Sequence, residues 1–313
     1  MRSRLWIALS LLVIAATALS ACNGAAPAAG VDNPAPGSQP SGFPAPGLED
    51  VLDARYQTFL GGMLQWGALT RAALSEMLGR EPPPFVLDVR DPTEVEETGH
   101  IEGAVLIPLR RLAQHTDLLP SFDTPIVVYC GTGHRCTIAM TVLEALGWET
   151  VYSLKEGSFG GWVEAGYAVV PGLPPAAEPR AAAAPDAALL AHFDAVLQAF
   201  PESWGAVSAP QLARALVERP DLILIDARAE QETASVGSIE SPHRIAIPLA
   251  ELTNRRAEWP TDRAAVIVIY SGTGHRCTIA MTILRSYGYT NVHILHGGLR
   301  AWVSAGFPVA TRP

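Results

Sequence analysis

Positive charge is scarce in this chain: 22 lysines and arginines stand against 31 aspartates and glutamates, and charged residues make up only 17% of the sequence. So few basic residues suit a polyphosphate backbone poorly, which argues against nucleic acid as a partner. Cysteine is scarcer still, with four among 313 residues. His293 and His296 invite a metal reading, but no further cysteine or acid stands nearby at ligand spacing, so no metal and no cofactor is expected. Long apolar runs are missing too. The run from Leu5 to Leu19 is about 15 residues, short of the roughly 20 that cross a bilayer as a stable helix.

That short run has the basic start (Met1-Arg-Ser-Arg4) and the small-residue end (Leu19-Ser-Ala-Cys22) of a secretory signal. Residues 1–22 are therefore expected to be a signal segment, of which residues 1–21 are removed and not folded. Its ending resembles a bacterial lipobox, which implies that Cys22 is lipidated as the first residue of the mature chain. Loss of Arg2 and Arg4 leaves 20 basic and 31 acidic residues, a formal net charge of −11. Residues 23–50, rich in alanine, proline and glycine without periodicity, read as a flexible tether. The expected location is the bacterial cell envelope, in the periplasm or on the exterior face of the cytoplasmic membrane, with the membrane held through the lipid anchor.

What the chain does contain is a repeat. Gly131–Thr141 and Gly272–Thr282 are identical over eleven residues, yet Cys130 precedes the first and Ser271 the second. Trp66-Gly-Ala-Leu-Thr70 pairs with Trp204-Gly-Ala-Val-Ser208, and Phe85-Val-Leu-Asp-Val-Arg90 with Ile223-Leu-Ile-Asp-Ala-Arg228. A period of about 140 residues is far longer than the roughly 20–50 of a solenoid unit and matches an autonomous domain. The division expected is a first domain over 51–172, a linker over 173–187 and a second domain over 188–313, each burying its own core.

Within each copy short apolar strands alternate with amphipathic helices, the pattern of an α/β fold whose parallel sheet is flanked by helices. Asp91-Pro92 with Glu94 reads as an N-cap, a proline at the first helical position and a capping-box acid. Gly147, Gly166, Gly288 and Gly306 follow helices as C′ glycines. Trp162 and Trp302 are expected to fill cores. Ile126-Val-Val-Tyr129 runs into the Cys130 turn and a helix follows, so backbone N–H groups converge where a thiolate would sit.

Four features of the first copy occur together and in order: Asp88-Val-Arg90, Gly99-His-Ile-Glu-Gly-Ala104 followed by Ile107-Pro108, Cys130-Gly-Thr-Gly-His-Arg135, and Gly157 to Trp162. On these the chain resembles the rhodanese family of sulfurtransferases, over nearly all of 51–172 and 188–313. The second copy keeps Asp226-Ala-Arg228, Arg276, Gly297-Gly298 and Trp302, but reads Gly237-Ser-Ile-Glu-Ser-Pro242 where the first has the His100 segment. The resemblance implies attack by Cys130 on a sulfane sulfur, storage as a persulfide and delivery to cyanide or a thiol. The substrate would be a small sulfur-containing anion. Gly131, Thr132, Gly133, His134 and Arg135 would form its cradle, with Asp88 and Arg90 in support. Ser271 and Arg276 mark a degenerate site.

Arg135 is open to two readings, a substrate contact or a salt bridge with an acid beneath the loop, for which Asp88 is the expected partner. Arg90 carries the same ambiguity. His134 is expected to shape the loop, because His275 persists in the copy without the cysteine. Gly131 and Gly133 are expected to permit the tight path. Four residues separate Cys130 from Arg135, one fewer than in cysteine phosphatases, so the smaller cradle suits a single sulfur, with phosphatase or arsenate-reductase chemistry as an alternative. Cys136 raises another, a thiol–disulfide pair with Cys130, for which the helix start would have to bend. A binding module for anions or proteins is the third.

Overall fold

Short runs of β-branched and aromatic residues, buried from both sides, form the centre of two parallel sheets. A computed structural model describes residues 44, 47–62, 64–180 and 182–310. The leader, Cys22 and the expected tether through residue 43 lie outside the described residues. The first sheet holds β1 (Ala68–Leu69), β2 (Phe85–Asp88), β3 (Val105–Leu106), β4 (Ile126–Tyr129) and β5 (Val151–Leu154) in the order β1-β5-β4-β2-β3. The second repeats that order with β6 (Ala206–Val207), β7 (Ile223–Asp226), β8 (Arg244–Ala246), β9 (Ile267–Tyr270) and β10 (Val292–Leu295). Registers match as well: Asp88 lies opposite Tyr129, and Asp226 opposite Tyr270. The fold is thus two tandem α/β units, each a parallel sheet flanked by helices.

The helices of the first half are α1 (Leu48–Gly62), α2 (Arg71–Leu78), α3 (Pro92–Thr98), α4 (Arg135–Leu146) and α5 (Ser158–Glu164). Those of the second are α6 (Ala187–Gln198), α7 (Ala209–Glu218), α8 (Glu230–Val236), α9 (His275–Ser286) and α10 (Gly298–Ser304). Helix α3 starts as its sequence indicates, with Asp91 as N-cap, Pro92 at the first turn, and the Asp91 N–H donating to Glu94 Oε2 at 3.0 Å. Trp162 and Trp302 are buried, and each indole N–H donates to a carbonyl, of Ala168 and Pro308.

The expectation that each half buries its own core holds for one sheet face only. Leu74, Val127, Tyr129, Leu154 and Trp162 pack on the outer face of the first sheet, and Leu212, Val268, Tyr270, Leu295 and Trp302 on that of the second. The inner faces share one continuous apolar cluster that runs from Leu52 and Ile138 to Ile279 and Ile294. The first helix of each half lies across the other. Tyr56 of α1 donates to Ser286 Oγ at 3.0 Å, and Asp53 and Glu49 pair with Arg256 at 2.6 Å. In return Arg110 donates to the carbonyls of Leu197 and Phe200 at and beyond the end of α6. The linker follows the first half, where the Arg180 N–H donates to the Asp117 carbonyl at 2.7 Å and its guanidinium sits 5.1 Å from the Phe85 ring.

Candidate active site

The central strand β4 ends at Tyr129, and the chain turns through residues 130–134 before α4 begins. This places Cys130 at the carboxyl end of the middle strand, where parallel sheets present their binding crevices. The turn rests on the start of α5: the Cys130 carbonyl accepts from the Phe159 N–H at 2.9 Å, and the Gly131 carbonyl from the Gly160 N–H at 3.1 Å. Gly133 takes φ +106°, which side-chain-bearing residues rarely adopt. Gly131 is different from expectation, since it has no positive φ and a Cβ there would meet the Arg135 Nη2 at an ordinary 3.5 Å. Only one of the two glycines is needed for the path.

Cys130 Sγ is buried, with 1% of the residue exposed. It accepts from the Gly133 N–H at 3.2 Å, and Cys136 Sγ lies 3.6 Å from it. Burial alone would push this thiol up. The Cys136 thiol, the N–H groups of Cys136 and Gly133, and the Arg135 charge together outweigh it and bring Cys130 down to about 6. Cys136, the buried donor beside a negative sulfur, is pushed well up. Cys130 therefore holds the negative charge and Cys136 the proton. The helix start need not bend to bring the sulfurs together, because they already face each other.

Arg135 does not pair with Asp88. Its two terminal nitrogens grip both oxygens of Glu94 at 2.6 Å, and Asp91 Oδ2 lies at 3.5 Å. Glu94, read from sequence as a capping acid, thus also clamps the loop arginine, which holds its carboxyl below the usual range. Asp88 is occupied by Arg90, with Nη2 to Oδ2 at 2.6 Å and Nε to Oδ1 at 3.0 Å. The Arg90 guanidinium also donates to Thr98 Oγ1 and the Gly99 carbonyl and lies 3.8 Å from the Phe159 ring centroid. With 2% of its surface exposed and its donors engaged, Arg90 supports the fold beneath the site and does not reach a ligand.

His134 lies at the other side of the loop and turns away from the sulfur. Its ring nitrogens meet Thr278 Oγ1 at 3.0 Å and the Trp204 carbonyl at 2.9 Å, both in the second half. His275 answers with Thr137 Oγ1 at 3.1 Å and the Trp66 carbonyl at 2.6 Å. The two histidines are a crossed clasp between the halves, which is why both loops keep them. Burial brings His134 down to about 4 and His275 well below its usual value. A cavity of about 480 Å³ lies between the loops, lined among others by Thr132, Gly133, Lys155, Thr273, His296 and Arg300.

The second loop keeps the frame. Arg276 grips Glu232, and Ser271 Oγ accepts from the Cys277 N–H at 3.3 Å. The segments at His100 and Ser238 serve one purpose, each bridging the last strand-like residue of its half, Val170 and Ala310. Around Cys130 the structure adds Ser153, Lys155 and Ser158, which sequence reading missed. Ser158 is fully buried at φ +53°, and its Oγ accepts from the Cys130 N–H at 3.0 Å. Lys155 is the only lysine in the chain, and aligned with the second copy these three positions read Ile294, His296 and Gly298. That contrast was the available signal. Among the described residues no three histidine, cysteine or acidic side chains gather as for a metal; His293 instead pairs with Asn291 Oδ1 at 2.8 Å.

The sequence pattern of the Rhodanese-like domain matches residues 70–165 and again 208–305. The thiosulfate sulfurtransferase GlpE of Pseudoalteromonas translucida is 35% identical over 92 residues, covering 29% of this chain and 83% of that protein. The tRNA uridine(34) hydroxylase of Protochlamydia amoebophila is 33% identical over 89 residues, covering 26% of this chain and 28% of that protein. A crystal structure of a thiosulfate sulfurtransferase from Pseudomonas aeruginosa aligns at 24% identity and a TM-score of 0.32, covering 78% of this chain and 43% of that one. The chain thus spans about a quarter of the hydroxylase and less than half of the Pseudomonas protein.

Proposed function

The chain belongs to the rhodanese-like domain family, and from that premise we propose that it is a sulfurtransferase whose Cys130 moves sulfane sulfur from thiosulfate or a related donor to cyanide or a thiol. The observation that carries this reading is the Cys130 thiolate, held by the Gly133 N–H, the Cys136 thiol and the Arg135 charge at the mouth of a short turn. The thiolate attacks the sulfane sulfur of thiosulfate, the donor's S–S bond breaks, and sulfite leaves with the bonding pair. The N–H groups of the turn and the start of α4 then face the outer sulfur of the persulfide, where negative charge is stabilised. Cyanide or a thiolate takes that sulfur and Cys130 regains its electron pair.

The second half is silent in this scheme. Ser271 stays protonated where a cradled thiol ionises, and no adjacent base activates it. The leader adds a location in the cell envelope, anchored by lipid on Cys22, with the expected tether of residues 23–50 shortened at its end because α1 already begins at Leu48. Two or more acyl chains would anchor it stably, where one gives marginal binding.

Mass spectrometry of the chain after thiosulfate treatment tests the chemistry: added sulfur is expected on the Cys130 peptide, together with one sulfite released. Cys130→Ser should abolish both and the formation of thiocyanate, and full activity in that variant overturns the assignment. For the anchor, fatty-acid labelling and membrane fractionation of the wild type should both be positive and should be lost in Cys22→Ala.

A further inference from the structure

A cysteine follows the loop arginine in both halves, and both are fully buried. Were the position filled only by a small packing residue, the two cysteines would have like surroundings. They do not. Cys277 Sγ donates to the Gly274 carbonyl at 3.1 Å and lies 4.0 Å from the Leu295 carbonyl, and where the first half has Ser153 and Ser158 its half has Ile294 and Gly298. Cys136 Sγ lies 3.6 Å from Cys130 Sγ, 3.2 Å from Ser153 Oγ and 3.9 Å from Ser158 Oγ. Two hydroxyls thus surround the sulfur only in the half that has a nucleophile, and one of them belongs to a serine held at a backbone angle that side chains resist. The Lys155 ammonium acts on Cys130 and Cys136, and on Cys277 as well, while burial brings its pKa down to about 8.

We propose that Cys136 is a resolving nucleophile, which attacks the inner sulfur of the Cys130 persulfide, releases hydrosulfide and closes a Cys130–Cys136 disulfide. The inference rests on the sulfur-carrying reading of Cys130. In the resting site the Cys130 charge keeps Cys136 protonated. Persulfide formation moves that charge outward by one sulfur and leaves Cys136 still holding its proton. The Cys136 sulfur then bonds to Cys130 Sγ, the persulfide S–S bond breaks, and the outer sulfur leaves with the bonding pair and collects the proton. Two cysteine sulfurs are oxidised and one sulfane sulfur is reduced to sulfide, so the step needs no outside oxidant. Closing 3.6 Å to a bond of about 2 Å asks for side-chain rotation. A dithiol reductant resets the pair.

The test uses the full chain under anaerobic conditions, loaded with thiosulfate or with inorganic polysulfide, without added thiol. Trypsin cuts after Arg135, so Cys130 and Cys136 fall on separate peptides that only a disulfide joins. Wild type should first carry the added sulfur on Cys130 and then, with time, release sulfide and yield the joined peptides. Cys136→Ser and Cys136→Ala should keep the added sulfur on Cys130 and release sulfide at least about tenfold more slowly, the advantage of a positioned nucleophile being gone. Sulfite release from thiosulfate by wild type, with no sulfide and no joined peptides, overturns this inference and leaves the sulfurtransferase reading standing. No sulfite release, and no added sulfur from either donor on any of the three proteins, overturns that reading and this inference with it.

Discussion

The turn after β4 and the turn after β9 share eleven residues, an arginine gripped by a glutamate and a histidine that crosses to the other half, yet the first opens on Cys130 and the second on Ser271. The repeat acts as an internal control. Features kept in both turns, Arg135 on Glu94 and Arg276 on Glu232, or His134 and His275 in their crossed clasp, hold the fold whether or not a nucleophile is present. Features found only with the nucleophile are Ser153, Lys155 and Ser158, which give way to Ile294, His296 and Gly298. The second turn has also closed: a Cβ on Gly298 would come within 2.3 Å of the Ser271 carbonyl oxygen. Losing the thiol went with losing the room and the polar groups around it.

The comparison is broken most severely by exchanging the two residues. Cys130→Ser should lower thiocyanate formation by at least about 10³-fold, and adding Ser271→Cys should restore less than about a tenth, because the new thiol meets Ile294 and Gly298. Substantial recovery would mean that the turn alone makes the site. The buried ion pairs should behave alike in the two halves. Asp88→Asn leaves the Arg90 guanidinium buried without its charge partner and should cost about 3–5 kcal/mol in denaturant unfolding; Asp226→Asn, which strips Arg228 and also Arg244 at 3.9 Å, should cost at least as much, and a clearly smaller value there would end the equivalence of the two frames.

A smaller effect separates the thiols by pH. Because the folded site depresses the Cys130 pKa to about 6, its alkylation by iodoacetamide should be at full rate above that pH and fall about tenfold per unit below it. Cys277, pushed up to about 11, should react slowly throughout neutral pH. A Cys130 profile that rises only near pH 8 to 9 would remove the stabilised thiolate from the account. The smallest expected effect belongs to Ser271→Ala, which should leave sulfur transfer within about twofold of wild type. Loss of most activity there would make the second turn part of the working site.

Legibility in the sequence follows the range of each interaction. The strand before Cys130, the capped helix at Asp91 and the buried tryptophans were readable, since each rests on periodicity or turn chemistry spanning a few residues. The partner of Arg135 was misread as Asp88, because both Asp88 and Glu94 stand near the loop and only the placement of α3 decides between them. His134 could be freed from a catalytic role by its twin, but its contacts with Trp204 and Thr278 could not be inferred. From sequence a Cys130–Cys136 pair asks the helix start to bend, whereas the turn already sets the two sulfurs 3.6 Å apart.

By itself the sequence determined the duplication, the parallel α/β units and the single thiol standing where its twin has a hydroxyl. These are local patterns, written in residues that lie near one another along the chain. Tertiary structure alone decided that the halves share one core, that α1 and α6 reach across, and that Ser153, Lys155 and Ser158 gather around Cys130 and Cys136. Those arrangements depend on how two twisted sheets and their helices pack, and packing couples residues by shape and volume across any distance in the chain.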